Sequence, residues 1–287
     1  MSRIALLGMG AMGFRVAQNL LNANHKVFVY NRTADKAIPL LDQGAIWAAT
    51  PREAAESAEI VISMVTDNDA SRAIWLDSKT GAAMGLGKDA IAIESSTLTV
   101  DWTRELAAAI ESRGAAFLDA PVVGSRPQAD AGKLIYLVGG NIETLTLVQD
   151  VLDAVGSATI HVGAIGQGMA MKLAVNALFG IQVAALAEIL GMLNQNGIDP
   201  AKAMECLGEM PVISPAAKGV GNLMLINHHA PMFPIKLVEK DFRYITQTAL
   251  TVAAPTPVST AIHHIYLEAI AKGYGNDNIT GVVQLFI

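Results

Sequence analysis

Ile4-Ala5-Leu6-Leu7-Gly8-Met9-Gly10-Ala11-Met12-Gly13 decides the first half of this chain. Four apolar residues read as a buried strand, and a helical pattern from Met12 to Ala23 follows at once. Between them stands a Gly-x-Gly-x-x-Gly turn. In that strand–turn–helix setting Gly8 permits the tight turn, Gly10 lets the backbone approach a pyrophosphate, and Gly13 lets the helix pack close to the strand. The helix N-terminus offers unpaired N–H groups and positive potential to the phosphates. Gly8, Met9, Gly10, Ala11, Met12 and Gly13 are therefore read as the cradle of a dinucleotide.

Outward from that turn, β-branched runs alternate with helical patterns, as in a parallel sheet with crossover helices. Strands are predicted at Arg3–Leu7, Lys26–Tyr30, Ile60–Val65, Ala90–Glu94, Ala116–Asp119, Leu134–Val138 and Thr159–Val162, with helices such as Val100–Ser112 and Glu143–Ala154 between them. After Gly163 the strands stop, and helices are read at Pro200–Leu207, Ile235–Thr251 and Thr256–Lys272. The fold class is α/β: an N-terminal Rossmann-type doubly wound sheet (1–163), then an all-α C-terminal domain (164–287) for substrate and oligomerisation. A long interdomain helix, Gly166 to about Asn196, joins them and would run roughly 40 Å. Its side chains are so uniformly apolar that burial on most of its circumference is expected. Lys172 and Asn176, four apart, stack on one face near its start. Alone, that lysine reads as a stem snorkelling to solvent.

Composition narrows the function. Of 287 residues 52% are hydrophobic and 16% charged, which describes a core-rich chain without disorder. The net charge of −6 supplies no basic field, so nucleic acid is disfavoured as a partner. A single cysteine, Cys206, excludes an intrachain disulfide and a cysteine-based zinc site. No leader-like segment is read before the first strand, and the one apolar run of membrane-spanning length is interrupted by Lys172 and Glu188. A soluble cytoplasmic protein with no membrane partner is the expectation. The pairs His228-His229 and His263-His264 lack the i, i+4 spacing of helical metal ligands, and no metal site is read.

The second strand ends Tyr30-Asn31-Arg32-Thr33. A fold selective for NAD usually carries an acidic residue here for the adenine ribose hydroxyl. Asn31 has no charge, while Arg32 and Thr33 can hold a phosphate by a charged fork and a hydroxyl, so NADP(H) is preferred over NAD(H). Thr33 also reads as the N-cap of the next helix. Met64-Val65-Thr66-Asp67 and Glu94-Ser95-Ser96-Thr97 fall at carboxyl ends of strands, where open α/β sheets bind ligands. Val65, Thr66 and Thr97 join the cofactor set, Thr97 towards the nicotinamide.

The loop Asp119-Ala120-Pro121-Val122-Val123-Gly124-Ser125-Arg126 can present N–H groups and a hydroxyl to a small anion, and Arg126 can pair a carboxylate or stand as a surface arginine. This loop occurs in order with Gly8-x-Gly10-x-Met12-Gly13, Asn31-Arg32-Thr33, Ser96-Thr97, Gly166-x-Gly168-x-x-x-Lys172-x-x-x-Asn176 and Lys240-Asp241. Together they resemble the β-hydroxyacid dehydrogenase family, which includes 3-hydroxyisobutyrate dehydrogenases and glyoxylate/succinic semialdehyde reductases. The likeness spans nearly the whole chain. It implies that Lys172 is the catalytic lysine, Asn176 helps to hold substrate, Lys240 lies near cofactor and substrate, and Val123, Gly124 and Ser125 cup the substrate carboxylate. The family usually has serine where Val123 stands, and Ser125 is the residue able to compensate. Loop spacing is similar to the glyoxylate/succinic semialdehyde reductase branch. The expected function is an NADP-dependent oxidoreductase interconverting a small hydroxy acid and its aldehyde or keto acid. The alternatives are an imine reductase, which usually lacks a lysine at 172, or a non-catalytic NADP-binding protein. The apolar long helix suggests a homodimer or homotetramer.

Overall fold

The computed structural model describes residues 1–287. Nine strands form one sheet: β1 (Arg3–Leu7), β2 (Lys26–Tyr30), β3 (Ile46–Trp47), β4 (Ile60–Ser63), β5 (Ile91–Glu94), β6 (Ala116–Asp119), β7 (Val122–Val123), β8 (Leu134–Gly140) and β9 (Gly156–Gly163). Their order is β3-β2-β1-β4-β5-β6-β8-β7, with β9 alongside β8. Neighbours from β3 through β6 are parallel, and β8 turns antiparallel to both β6 and β7. Parallel neighbours require crossovers. These are made by α1 (Gly13–Asn22), α2 (Ile38–Leu41), α3 (Pro51–Glu56), α4 (Asn68–Leu76) and α5 (Val100–Glu111). Every residue of β4 and β5 is buried, as expected of strands covered on both faces. Thr50, Asp67 and Thr99 cap α3, α4 and α5 by accepting backbone N–H bonds, which fixes where each helix leaves its loop.

Beyond β6 come α6 (Arg126–Asp130), α7 (Ile142–Asp153) and the long α8 (Gln167–Gln195). The chain forms two compact units, Met1–Lys172 and Leu173–Ile287. The division expected after Gly163 therefore lies nine residues later, inside α8. The start of that helix is bonded to the end of β6, so it belongs with the sheet.

The second unit holds the rest of α8, then α9 (Pro200–Gly208), α10 (Pro215–Leu225), α11 (Ile235–Thr251), α12 (Pro257–Ala271) and a 3-10 segment at Ile279–Leu285. Its packing exploits glycines on α8. A Cβ at Gly180 would stand 2.5 Å from the Phe242 ring, and the Tyr266 hydroxyl donates to the Gly180 carbonyl at 2.9 Å. Phe242 and Tyr266 rings lie 5.5 Å apart and are fully buried. α10 was not legible in the sequence, because Gly219 and Gly221 lower helix propensity. Packing overrides that cost: Gly221 leaves room for the Met204 side chain. The two-residue strands β3 and β7 also escaped, since only pairing with β2 and β8 defines them.

The expected burial of α8 needs correction. Met171, Leu178, Ala185 and Met192 recur every seven residues along an exposed stripe, with Leu178 62% accessible. By length and composition α8 could also cross a membrane. The same pattern marks the core helix of a folded domain, and the buried contacts of Gly180 are of that kind.

Candidate active site

The parallel register places Tyr30, Leu7, Ser63, Glu94 and Asp119 side by side at the carboxyl edge of the sheet. Each strand therefore delivers its next residues to the same edge, and the site begins there. Gly8 leaves β1 with φ +109°, and a Cβ on it would strike the Met64 carbonyl. Only glycine meets both demands. Gly13 faces the Gly8 carbonyl in the same close way, whereas nothing lies within 4 Å of a Cβ position on Gly10. That open side of Gly10 is where a pyrophosphate can approach the backbone. No side chain caps α1 after Ala11 and Met12, and no acidic residue stands in its first turn; Phe14 N donates to the Gly10 carbonyl, and the N–H groups ahead of it at Ala11, Met12 and Gly13 face the end where an anion can bind. These residues fit a dinucleotide.

Asn31 has a role that the sequence did not reveal. Its Oδ1 accepts from Met9 N at 2.9 Å, and its Nδ2 donates to the Thr33 carbonyl at 2.7 Å. It ties the glycine turn to the end of β2, so its amide shapes the cradle. Arg32 and Thr33 are exposed. Thr33 does precede a short helical turn, Ala34–Ala37, but its hydroxyl makes no cap bond and remains for a ligand. Val65 N donates to Ser96 Oγ at 2.8 Å, joining the loops after β4 and β5. Thr66 is exposed and Thr97 half-buried on the same edge. Beneath them Glu94 is fully buried, accepting from Ser71 Oγ, Trp75 Nε1 and Ser96 N. Trp102 Nε1 donates to Ser71 Oγ at 3.0 Å, so the buried Trp75 and Trp102 both work as hydrogen-bonded packing.

In the loop after β6, Val123 pairs with Ile135 of β8, and Gly124 is exposed. Ser125 begins α6 with a reciprocal capping box: its hydroxyl accepts the Gln128 N–H, while Gln128 Oε1 accepts Ser125 N at 2.9 Å. Arg126 is half-buried, and its Nε has no hydrogen-bond partner.

Lys172 is only 8% exposed, so the reading of a lysine snorkelling to solvent does not hold. It lies six residues after Gly166, and its helix is held at the start by Asp119, which accepts Gly166 N and Met169 N, each at 2.7 Å. Burial pushes the Asp119 carboxyl up to about 6, against the opposing pull of those N–H groups and Arg104.

The second unit contains another buried polar group. Asn176 Nδ2 donates to Asp241 Oδ2 at 2.6 Å, and Lys240 Nζ lies 3.1 Å from Asp241 Oδ1. Lys240 Nζ also stands over the Tyr244 ring at 5.0 Å. Lys240 is 7% exposed, so it is not a surface lysine, and Glu239 engages Arg243 and His263 instead. Asp241 orients Asn176 and was absent from the sequence-derived site. Its adjacency to Lys240 in the Lys240-Asp241 pair was the available signal.

Two family models cover this arrangement. The NAD binding domain of 6-phosphogluconate dehydrogenase matches residues 3–176, and the NAD-binding region of NADP-dependent 3-hydroxyisobutyrate dehydrogenase matches residues 166–286. The chain belongs to the β-hydroxyacid dehydrogenase family. As a β-hydroxyacid dehydrogenase it is similar to the chloroplastic glyoxylate/succinic semialdehyde reductase 2 of Arabidopsis thaliana, 31% identical over 98% of this chain and 78% of that protein. It is 32% identical to the 3-hydroxyisobutyrate dehydrogenase of Pseudomonas aeruginosa, over 93% of this chain and 91% of that one. Among solved structures, the Mycobacterium tuberculosis 3-hydroxyisobutyrate dehydrogenase with L-serine superposes with a TM-score of 0.92 at 26% identity, covering 99% of each chain. This β-hydroxyacid dehydrogenase is an NAD(P)-dependent oxidoreductase acting on hydroxyl groups.

Proposed function

We propose that this enzyme uses NADP(H) to interconvert a small hydroxy acid and its aldehyde or keto acid, with Lys172 as general acid–base. The observation that carries the reading is a lysine withdrawn from solvent near the start of a helix anchored to the carboxyl edge of a dinucleotide-binding sheet. When bound, the nicotinamide supplies or accepts the hydride. The proton is the task of Lys172: as ammonium it stabilises the developing oxyanion and protonates it, and as amine it takes the hydroxyl proton in the reverse direction. Asn176, one turn further along α8, has its Nδ2 engaged by Asp241, which leaves Oδ1 as an acceptor for a substrate hydroxyl or the lysine amine. Lys240 is assigned to cofactor and substrate, and Val123, Gly124 and Ser125 to the substrate carboxylate. With valine at 123 the Ser125 hydroxyl and backbone N–H groups make that cradle. Arg32 and Thr33 recognise the 2′-phosphate, supported by the engagement of Asn31 with backbone on both sides. Loop spacing and the reductase relative favour glyoxylate or succinic semialdehyde as substrate class. A cytoplasmic homo-oligomer, dimer or tetramer, accounts for the exposed seven-residue stripe on α8.

The test is cofactor oxidation by wild type and Lys172→Ala with NADPH or NADH. The substrates are glyoxylate, succinic semialdehyde, methylmalonate semialdehyde and a cyclic imine. Turnover of an aldehyde acid with NADPH, lost in the variant while NADPH still binds, supports the reading. Lys172→Ala retaining more than a few per cent of activity removes the lysine from the mechanism, and preference for NADH removes the role of Arg32.

A further inference from the structure

Gly166 stands at the N-cap of α8 and Met169 at its third position, so the helix start has no side chain able to form a local capping box. The two N–H groups that such a box would satisfy are instead taken by one carboxylate, Asp119, from 47 and 50 residues away. Asp119 is fully buried at the end of β6. The surroundings leave this contact no slack. A Cβ on Gly168 would strike the Leu137 carbonyl and lie 2.9 Å from Asp119 Oδ2, and a Cβ on Gly139 would lie 2.5 Å from Asp119 Oδ1. Met169 is fully buried, and its Sδ accepts from Leu98 N at 3.2 Å. The first turn of α8 is thus held against β8 and the loop after β5 at a fixed rotation. Lys172 follows Met169 by three residues, about 4.5 Å along the helix axis.

We propose that Asp119 is a positioning residue for Lys172: its carboxylate sets the rotation and depth of the first turn of α8, and so the place of the lysine amine. The proposal rests on the assignment of Lys172 as the proton donor. Asp119, fully buried with each oxygen taken by a backbone N–H group, acts through the helix. It also stands immediately before Ala120–Ser125, so one carboxylate links the loop assigned to the substrate with the helix assigned to the proton. Arg104 on α5 is the one charged side chain whose field reaches it; from β8 and α8 it meets backbone.

The ionised carboxylate accepts one N–H bond on each oxygen, and protonation makes one of those oxygens a poor acceptor, which weakens one of the two bonds. The experiment compares wild type, Asp119→Asn, Lys172→Ala and the double variant, using NADPH and the aldehyde acid that wild type turns over. Asp119→Asn should lower kcat on the order of tenfold to a hundredfold while KM and NADPH affinity stay within about threefold, since misplacement by an ångström has that effect. The double variant should be no slower than Lys172→Ala alone. In wild type, kcat should fall as pH drops below about 6, with NADPH binding level across that range. That profile needs no variant, so a poorly folding Asp119→Asn leaves the test intact. A kcat within twofold of wild type in Asp119→Asn, additive losses in the double variant, or a kcat level from pH 5 to 8 would overturn the positioning role. Activity retained in Lys172→Ala would overturn the lysine assignment first, and that arm is read separately.

Discussion

Asp241 shows how one buried side chain constrains two others. It accepts from Asn176 with one oxygen and faces the Lys240 ammonium with the other, and it is 3% exposed. A charge left unpaired in such a place is strongly destabilising, by about 3–5 kcal/mol. Asp241→Ala is therefore expected to lower stability by about 3 kcal/mol in urea denaturation. Asp241→Asn keeps the shape but lets the Asn176 amide turn over, since a carboxamide can donate where the carboxylate could only accept. Its expected signature is a raised KM for the aldehyde acid with an unchanged Kd for NADPH. An unaltered KM would separate Asn176 from substrate binding.

At the scale of the element, α8 is the part that joins the two compact units in sequence, and its start is capped from a strand. The ionised cap is maintained against burial, because the folded Asp119 titrates near 6 while an unfolded aspartate titrates at 3.8. A raised folded value means that the group favours the fold below about pH 4, and that this contribution is lost as pH rises through about 6. The shift of about 2 units corresponds to roughly 3 kcal/mol. Thermal melting of wild type and Asp119→Asn from pH 4 to 8 should show the stability of wild type relative to the variant falling as Asp119 ionises. A constant difference would show that Asp119 does not titrate in that window. The ionised state that favours catalysis is, on this account, the less stable one, a conflict that functional sites often contain.

For the whole molecule, the apolar stripe Met171, Leu178, Ala185 and Met192 is a surface that a second copy can cover in the manner of a seven-residue helix seam. Light scattering of wild type should give a multiple of 30.1 kDa, and Leu178→Glu should shift it towards the single chain. A wild type that runs as a monomer at micromolar concentration would leave the stripe without that role. Much of this architecture was readable beforehand for a physical reason: its signals are local. The glycine turn and its flanking strand and helix lie within a few residues, and the Lys172–Asn176 spacing is a property of one helix. The sequence by itself thus determined the sheet with its cradle and the helix with its lysine. What only the tertiary structure decided are pairings between distant residues: Asp119 with Gly166 and Met169, Asn31 with Met9, Asp241 with Asn176 across 65 positions, and a compact-unit division that falls within α8. Such pairings depend on strand register and helix packing, which fix the partner of a buried polar group only once the chain has closed on itself.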